Sequence, residues 1–307
     1  MKILVTGGTG MVGSAFKAIK TKHELIMVGS QDCNLLNSNN VLKMFNYHQP
    51  DAVIHLAAKV GGVKGNSEFV SDYFYQNILI NTHVLNAAKI TDTSKVLSLL
   101  STCVYPDNPS YPLTEDQIHN GEPHQSNFGY AYAKRMLEVQ SRAIRKQFGL
   151  NYITAVPNNL FGEHDNFDLE NGHVIPALIR KIHEAKLTGI APVLWGDGTP
   201  LREFTHSNDI ARSLMFLLEN YNEYMPVNIG NTTETSISSL ASTLSHMLGY
   251  KGKIKWDKTK PAGQLKKPSS NKKFMQLCPS FEYTNLNDSL EKTCKWFLDN
   301  YPNVRGV

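Results

Sequence analysis

The chain has 307 residues, 41 % of them hydrophobic and 19 % charged, with a formal net charge of +4. That length gives ample core for one large domain or two intimate lobes. No apolar run escapes polar interruption long enough to predict a membrane span, and the scattered basic residues, denser only at 251–273, lack the long basic run or aromatic platforms of a nucleic-acid binder. A mild positive excess suits an anionic small molecule instead.

Met1 leads straight into "KILVTG", which leaves no room for a cleaved leader, so a cytoplasmic location is expected. The first half then alternates short apolar strands with amphipathic segments: 11–20, "ELIMVGS", 38–47, "AVIHLAA", 72–90, "VLSLLST", 130–148 and "YITAVP". Strands separated by helical patterns predict βαβ units and a parallel sheet. Within 130–148, Ala131, Met136, Leu137, Val139 and Ile144 are expected mostly along the side that packs on that sheet. Beyond Pro157, helices are predicted at 173–186 and 208–219, the stretch 191–204 is rich in Gly and Pro, and "VNIG" at 227–230 is expected to rejoin the sheet. "SISSLASTLSHMLG" predicts another helix. The expected fold class is α/β, a Rossmann-type doubly wound parallel sheet with a smaller C-terminal α/β substrate lobe. Its dinucleotide-binding part is placed at 1–163 plus 204–232, and the second lobe at 164–203 plus 233–307. Cys33, Cys103, Cys278 and Cys294 form no C-x-x-C pair, so neither a disulfide framework nor a metal site is expected.

"TGGTGMVG" spaces Gly7, Gly10 and Gly13 three apart, directly after a strand and before a helix. Glycines there permit a tight turn and close approach of the main chain to a pyrophosphate. The second strand ends at Gly29–Ser30–Gln31 with no acid at its tip, although Asp32 follows closely. An acid there grips a ribose 2′-hydroxyl, so its absence favours NADPH over NADH.

"GYAYAK" places Tyr130 and Lys134 four residues apart and therefore on one helix face. A nearby ammonium is expected to stabilise the phenolate and lower the tyrosine pKa, making proton exchange with a carbonyl oxygen practical. Upstream, "LSTCVYP" at 100–106 puts the Ser101 hydroxyl two residues from the Cys103 thiol, just past an apolar strand. Taken alone, Cys103 also reads as a small buried residue at a strand end.

The glycine turn, Ser101 and the Tyr130/Lys134 pair together resemble the extended short-chain dehydrogenase/reductase superfamily, whose members act on nucleotide sugars. Dehydratases of that superfamily carry an Asp–Glu pair after the triad hydroxyl; Thr102 and Cys103 stand there instead, which disfavours elimination. With "AAKVGGVKGN", "NFGYAYAKRM", "PNNLFGEHDNF", "GHVIPALIRKIHEAK", "WGDGTPLREF" and "KPAGQLKK", the chain is similar, in order from the first strand to about residue 270, to the GDP-L-fucose synthase family. The resemblance implies one site that inverts C3 and C5 of GDP-4-keto-6-deoxy-D-mannose and then delivers hydride from NADPH to C4.

It also implies the catalytic set Ser101, Cys103, Tyr130, Lys134 and His173, with Cys103 as the epimerisation base and His173 as the acid on the opposite face. Cofactor contacts are implied at Gly7, Gly10, Met11, Val12, Gly13, Leu56, Ala57, Ala58, Pro157, Asn159 and Leu160, with Tyr130, Lys134 and His173 shared. For His173 the other reading is a capping or packing residue, since "GHVIP" is also a helix entry. "KVGGVKGN" is expected as a glycine loop at the carboxyl edge of the sheet, and Asn77 and Asn159 as positioners of cofactor or substrate. Trp195 offers a stacking surface, Arg202 an anion ligand, and Lys181 and Lys267 charge for a diphosphate; the alternatives are a core tryptophan and solvated lysines. Lys181 stands where bacterial members carry Arg, and Ala262 where an acid is usual. A homodimer through 72–90 and 130–148 is the family expectation. The rival activities are a nucleotide-sugar 4-epimerase with tightly held NAD, and a non-enzymatic NADPH-sensing regulator.

Overall fold

Ile3, Leu4, Val5, Ala52, Val53 and Ile54 are all fully buried, without the alternation of a strand that faces water. Strands hidden on both faces belong in a parallel sheet covered by helices on each side. The computed structural model, which describes residues 1–260 and 264–307, builds that sheet from the first half of the chain. The elements there are β1 (Lys2–Thr6), α1 (Met11–Ala15), β2 (Glu24–Val28), α2 (Ser38–His48), β3 (Ala52–His55), α3 (Val63–Glu68), α4 (Val70–Ile90), β4 (Lys95–Leu99), α5 (Phe128–Phe148) and β5 (Asn151–Pro157). There follow β6 (Asn159–Phe161), α6 (Val174–Thr188), β7 (Val193–Trp195), β8 (Leu201–His206), α7 (Ser207–Asn220), β9 (Val227–Ile229), β10 (Glu234–Ser236), α8 (Ile237–Met247), β11 (Lys255–Asp257), α9 (Lys272–Leu277) and α10 (Leu286–Asn300).

Six parallel strands run in the order β2-β1-β3-β4-β5-β9, so "VNIG" does rejoin the sheet, beside β5. The chain winds one way from β1 to β2 and the other way from β3 onward. That reversal opens a crevice past the carboxyl ends of β1 and β3, where ligands of such sheets sit. Alternate side chains feed two cores: Ile3 and Val5 pack with Ile210, Leu214 and Leu217 of α7, while Leu4 packs with Val41 and Phe45 of α2 and Leu85 of α4. A third core lies apart from the large sheet, where Ile175, Ile179 and Ile182 of α6 meet Leu240 and Leu244 of α8 and Phe297 of α10. Two small sheets accompany it, β10-β8-β6 and β11-β7. Among the described residues no helix is long and apolar enough to cross a membrane.

Two expectations change, and one stretch without a predicted element gains strands. The helix predicted over 11–20 ends at Ala15 and tightens into a 3₁₀ turn over Phe16–Ala18, which sinks Phe16 into the core and leaves five residues to reach β2. The Gly/Pro-rich stretch 191–204 contains β7 and part of β8. On α5, Met136 is 40 % exposed whereas Leu137 is fully buried. The inward stripe of that helix runs through Lys134, Leu137, Ser141 and Ile144, at helical spacing, so half of it is polar and apolar periodicity alone misses it.

Truncation should separate the two neighbours. Leu137→Ala is expected to cost about 2–5 kcal/mol, by lost transfer energy and a cavity, and Met136→Ala less than about 1 kcal/mol, as for exposed positions. Urea denaturation of the two variants checks this, and equal losses would place residue 136 on the inner side.

Candidate active site

β1 ends in a turn at Gly7, whose φ of +73° is a conformation that glycine adopts without strain. A Cβ on Gly7 would lie 2.8 Å from the Ala57 nitrogen, and one on Gly13 only 2.3 Å from the Gly7 oxygen. The Gly10 N–H donates to the Gly7 carbonyl at 3.0 Å. Bare backbone therefore draws the start of α1 against the turn and sets that turn beside Leu56 and Ala57. The cradle that side chains would fill fits the pyrophosphate of a dinucleotide. Gly8, overlooked in the three-residue spacing, is equally committed: its N–H donates to Val28 O at 2.9 Å, and a Cβ would meet the Val28 nitrogen at 2.8 Å. At the tip of β2, Asp32 turns its carboxylate back to accept the Gly29 N–H at 2.7 Å.

Beyond β4, Ser101 opens a 3₁₀ turn over Thr102–Val104, and its Oγ accepts the Cys103 N–H at 3.4 Å. The thiol is 6 % exposed. Burial pushes the Cys103 thiol up; a hydrogen bond from Ser101 and the positive charges of Lys267, Lys134 and Arg135 pull it down. This turn packs on α5, where Lys134 is buried and donates from Nζ to Leu99 O at 2.8 Å. Burial lowers its pKa to about 8. Tyr130 stands one turn away, with Lys134 Nζ 5.9 Å from its ring centroid.

Tyr130 behaves differently from the expectation. Burial, then the neighbouring Cys103 and Tyr73, hold its hydroxyl well above the ordinary tyrosine range. Lys134 is hydrogen-bonded to the Leu99 carbonyl and not to the phenol, so desolvation wins over charge stabilisation. The Tyr130 hydroxyl thereby keeps its proton. Beneath it lies a residue the sequence reading passed over as part of a strand. His55 accepts from Thr6 Oγ1 at Nδ1 (2.7 Å) and donates from Nε2 to Asn81 Oδ1 (3.1 Å). Burial, then Lys134, lowers its pKa to about 3, so it is neutral. Asn81 continues to the Ala133 carbonyl on α5 at 3.4 Å.

His173 is the N-cap residue of α6, but its side chain makes no capping hydrogen bond and is exposed. The capping role is thus not what occupies the imidazole. Its charged neighbour is Asp165, a buried carboxyl pushed up to about 6 by burial and held down by His173, the Asn166 N–H and Arg305. The loop before His173 is clasped to the glycine loop after β3: the Gly62 N–H donates to Asn171 O at 3.0 Å, and Lys64 pairs with Glu170 at 2.6 Å. Among the described residues no hydrogen bond or ion pair joins His173 to Cys103 or Tyr130.

Lys181 donates from Nζ to Val193 O at 3.3 Å, two residues from Trp195, which is 53 % exposed and therefore not core. Arg202 donates to Leu201 O at 2.7 Å and has Tyr111 and Lys267 as titratable neighbours. Lys267, expected near a diphosphate, is a neighbour of the Cys103 thiol as well as of Arg202 and Asp107. The structure thus gathers Ser101, Cys103, Tyr130, Lys134 and Lys267, and groups Lys181 with Trp195 at β7. Asn77 is spent on the main chain, its amide bonding both the N–H and the carbonyl of Lys59 and the Tyr73 carbonyl. Asn159 donates to Glu203 O at 2.8 Å, at the junction of β6 and β8, next to Pro157 and Leu160. Its neighbour Asn158, not singled out in "PNN", is the buried one, accepting from Thr205 Oγ1 at 2.6 Å and donating to Asn231 O at 2.8 Å. Ala262 lies outside the described residues.

A family model described as the NAD dependent epimerase/dehydratase family matches residues 3–230. The chain is similar to the GDP-L-fucose synthase of Dictyostelium discoideum, 39 % identical over 99 % of this chain and 97 % of that protein. It is likewise similar to the GDP-L-fucose synthase of Escherichia coli strain K12, 35 % identical over 99 % of each. The crystal structure of a GDP-L-fucose synthetase from Naegleria fowleri bound to NADP superposes with a TM-score of 0.93 at 38 % identity, covering 99 % of this chain and 95 % of that one. The chain therefore belongs to the NAD dependent epimerase/dehydratase family and, within it, to the GDP-L-fucose synthases: it is a nucleotide-sugar epimerase/reductase rather than a non-enzymatic regulator.

Proposed function

We propose that the chain converts GDP-4-keto-6-deoxy-D-mannose to GDP-L-fucose in one pocket, by inversion at C3 and C5 and then reduction at C4. The observation that carries this reading is the clustering of a buried thiol with the Ser101, Tyr130 and Lys134 side chains at the end of β4. A 4-epimerase working through its cofactor alone has no use for that thiol.

NADPH would be held by Gly7, Gly10, Met11, Val12 and Gly13 along the pyrophosphate, by Leu56, Ala57, Ala58, Pro157, Asn159 and Leu160 along the crevice, and by Tyr130, Lys134 and His173 at the nicotinamide end. When bound, it supplies the hydride for C4. Asp32 supports NADPH over NADH, because its carboxylate is engaged by the Gly29 N–H and is not offered to a ribose hydroxyl. Lys181, Trp195, Arg202 and Lys267 are assigned to the nucleotide sugar. The parts 1–163 plus 204–232 and 164–203 plus 233–307 are assigned to cofactor and sugar nucleotide respectively. A cytoplasmic homodimer built on α4 and α5, whose outer faces expose Phe74, Tyr75 and Met136, belongs to the same proposal.

The chemistry follows from the ketone. A proton on a carbon beside it is acidic because the charge spreads to an enolate oxygen, which Ser101 and Tyr130 stabilise by hydrogen bonds. Cys103, as thiolate, removes that proton, and His173 returns one from the opposite face. Once C4 takes hydride, Tyr130 gives its proton to the new alkoxide, and the Lys134 ammonium stabilises the phenolate left behind.

Cys103→Ser should slow solvent deuterium entry at C3 and C5 at least about a hundredfold, the contribution of a positioned general base; mass spectrometry of the recovered sugar in D₂O reads it, and undiminished exchange rules out the thiol. Lys134 is cationic below a pKa of about 8 and neutral above it. Reduction at C4 is therefore expected to slow as pH rises through that region, and an NADPH-oxidation rate that stays level there would remove Lys134 from the step.

A further inference from the structure

Arg135 follows Lys134 on α5 and is 4 % exposed. Its Nε donates to Val104 O and its Nη1 to Gly121 O, both at 2.7 Å, while Nη2 is buried with no hydrogen-bond partner. The guanidinium lies 5.5 Å from the Tyr132 ring centroid. None of these partners carries a carboxylate. Glu138, one turn along, is taken by Arg142 at 2.9 Å and His119 at 2.8 Å, and among the described residues no ion pair includes Arg135. A full charge buried without a counter-ion is costly.

The two carbonyls explain where that cost goes. Val104 directly follows Cys103 and closes its 3₁₀ turn. Gly121 begins the strip that pairs back on the same loop, through the Pro106–Pro123 bridge and the Asp107 N–H to Glu122 O at 2.8 Å. One planar fork therefore ties the thiol's turn and its flanking strip to the helix that carries Tyr130 and Lys134. A lysine could carry the charge but not span both carbonyls in this way. The charged and titratable groups acting on the thiol are Lys134 and Arg135 from α5 and Lys267 from the segment after β11, with Tyr130 beside it; all three charges are positive.

We propose that Arg135 is a positioning residue for Cys103: it bridges the Val104 and Gly121 carbonyls to fix the turn that carries the thiol, and its unpaired charge favours the thiolate. The catalytic consequence rests on Cys103 being the epimerisation base, as proposed above.

The test compares Arg135→Met and Arg135→Lys with the parent enzyme. Thiolate absorbance is titrated against pH as the difference from the Cys103→Ser partner of each variant, and deuterium entry at C3 and C5 is followed separately. Arg135→Met should shift the thiol midpoint upward so that thiolate near neutral pH falls about tenfold, the equivalent of one pKa unit. Its deuterium entry should fall by about tenfold or more, with KM little changed. Arg135→Lys should restore the midpoint but not the exchange rate, because charge returns without the fork. A folded methionine variant with an unmoved thiol midpoint overturns the proposal whatever its exchange rate. Should that variant fail to fold, Arg135→Lys decides, and exchange equal to the parent overturns it. If Cys103→Ser itself keeps full exchange, the base assignment fails, while the midpoint shift still reports the coupling between Arg135 and Cys103.

Discussion

The burial of the Lys134 ammonium against the Leu99 carbonyl sets the terms for everything around it. That bond ties the end of β4 to α5 at one point, so Ser101 and Cys103, two and four residues past Leu99, face Tyr130, one turn before Lys134. Its electrostatic cost is spread over the site. A lysine with a pKa near 8 is close to releasing its proton, and the imidazole of His55 is held neutral by burial first and by the Lys134 charge second. The hydrogen-bond run Thr6–His55–Asn81–Ala133 then joins β1, β3, α4 and α5 beneath the pocket. Satisfied on every nitrogen, it fixes one geometry without adding charge.

The thiol sits where two effects oppose each other. Desolvation disfavours the thiolate, and three cations with no carboxylate among them favour it. A thiol left with a raised pKa is a stronger base once ionised but is ionised less often, so the surrounding charge governs how much thiolate exists at neutral pH. The phenol of Tyr130 is a neighbour of that thiol. Burial first, and then the neighbouring Cys103 and Tyr73, make a phenolate unfavourable and keep the proton on Tyr130.

The frame of the molecule was legible in the sequence because it rests on local rules. Glycine spacing after the first strand, strand–helix alternation and the Tyr130/Lys134 pair all report neighbours within one element or turn. What escaped is made of side chains that bond main chain far away in sequence: Arg135 to Val104 and Gly121, Asn77 to Lys59, and the buried Glu203 carboxylate, which accepts the Ser269 N–H at 2.8 Å. No period encodes such bonds. The same limit explains Met136, which fits an apolar pattern, whereas the helix buries Lys134, Arg135 and Glu138. It also explains Tyr130, whose lysine was expected to lower its pKa. The spacing of four places the two side chains together, but only the fold shows that the ammonium turns to a carbonyl instead.

The base and the acid assigned to inversion differ most in their access to water. Cys103 is buried behind the turn that Arg135 holds, while His173 is exposed at the start of α6, on a loop clasped to the glycine loop at Gly62 and Lys64. A proton taken by a shielded thiol exchanges slowly, whereas one delivered by an exposed imidazole has already equilibrated with solvent. On these roles the inverted carbon carries a solvent hydrogen even when the one removed remains on sulfur. Under the proposed roles, inversion would run in one direction, from a dry base to a wet acid, with the enolate held by Ser101 and Tyr130.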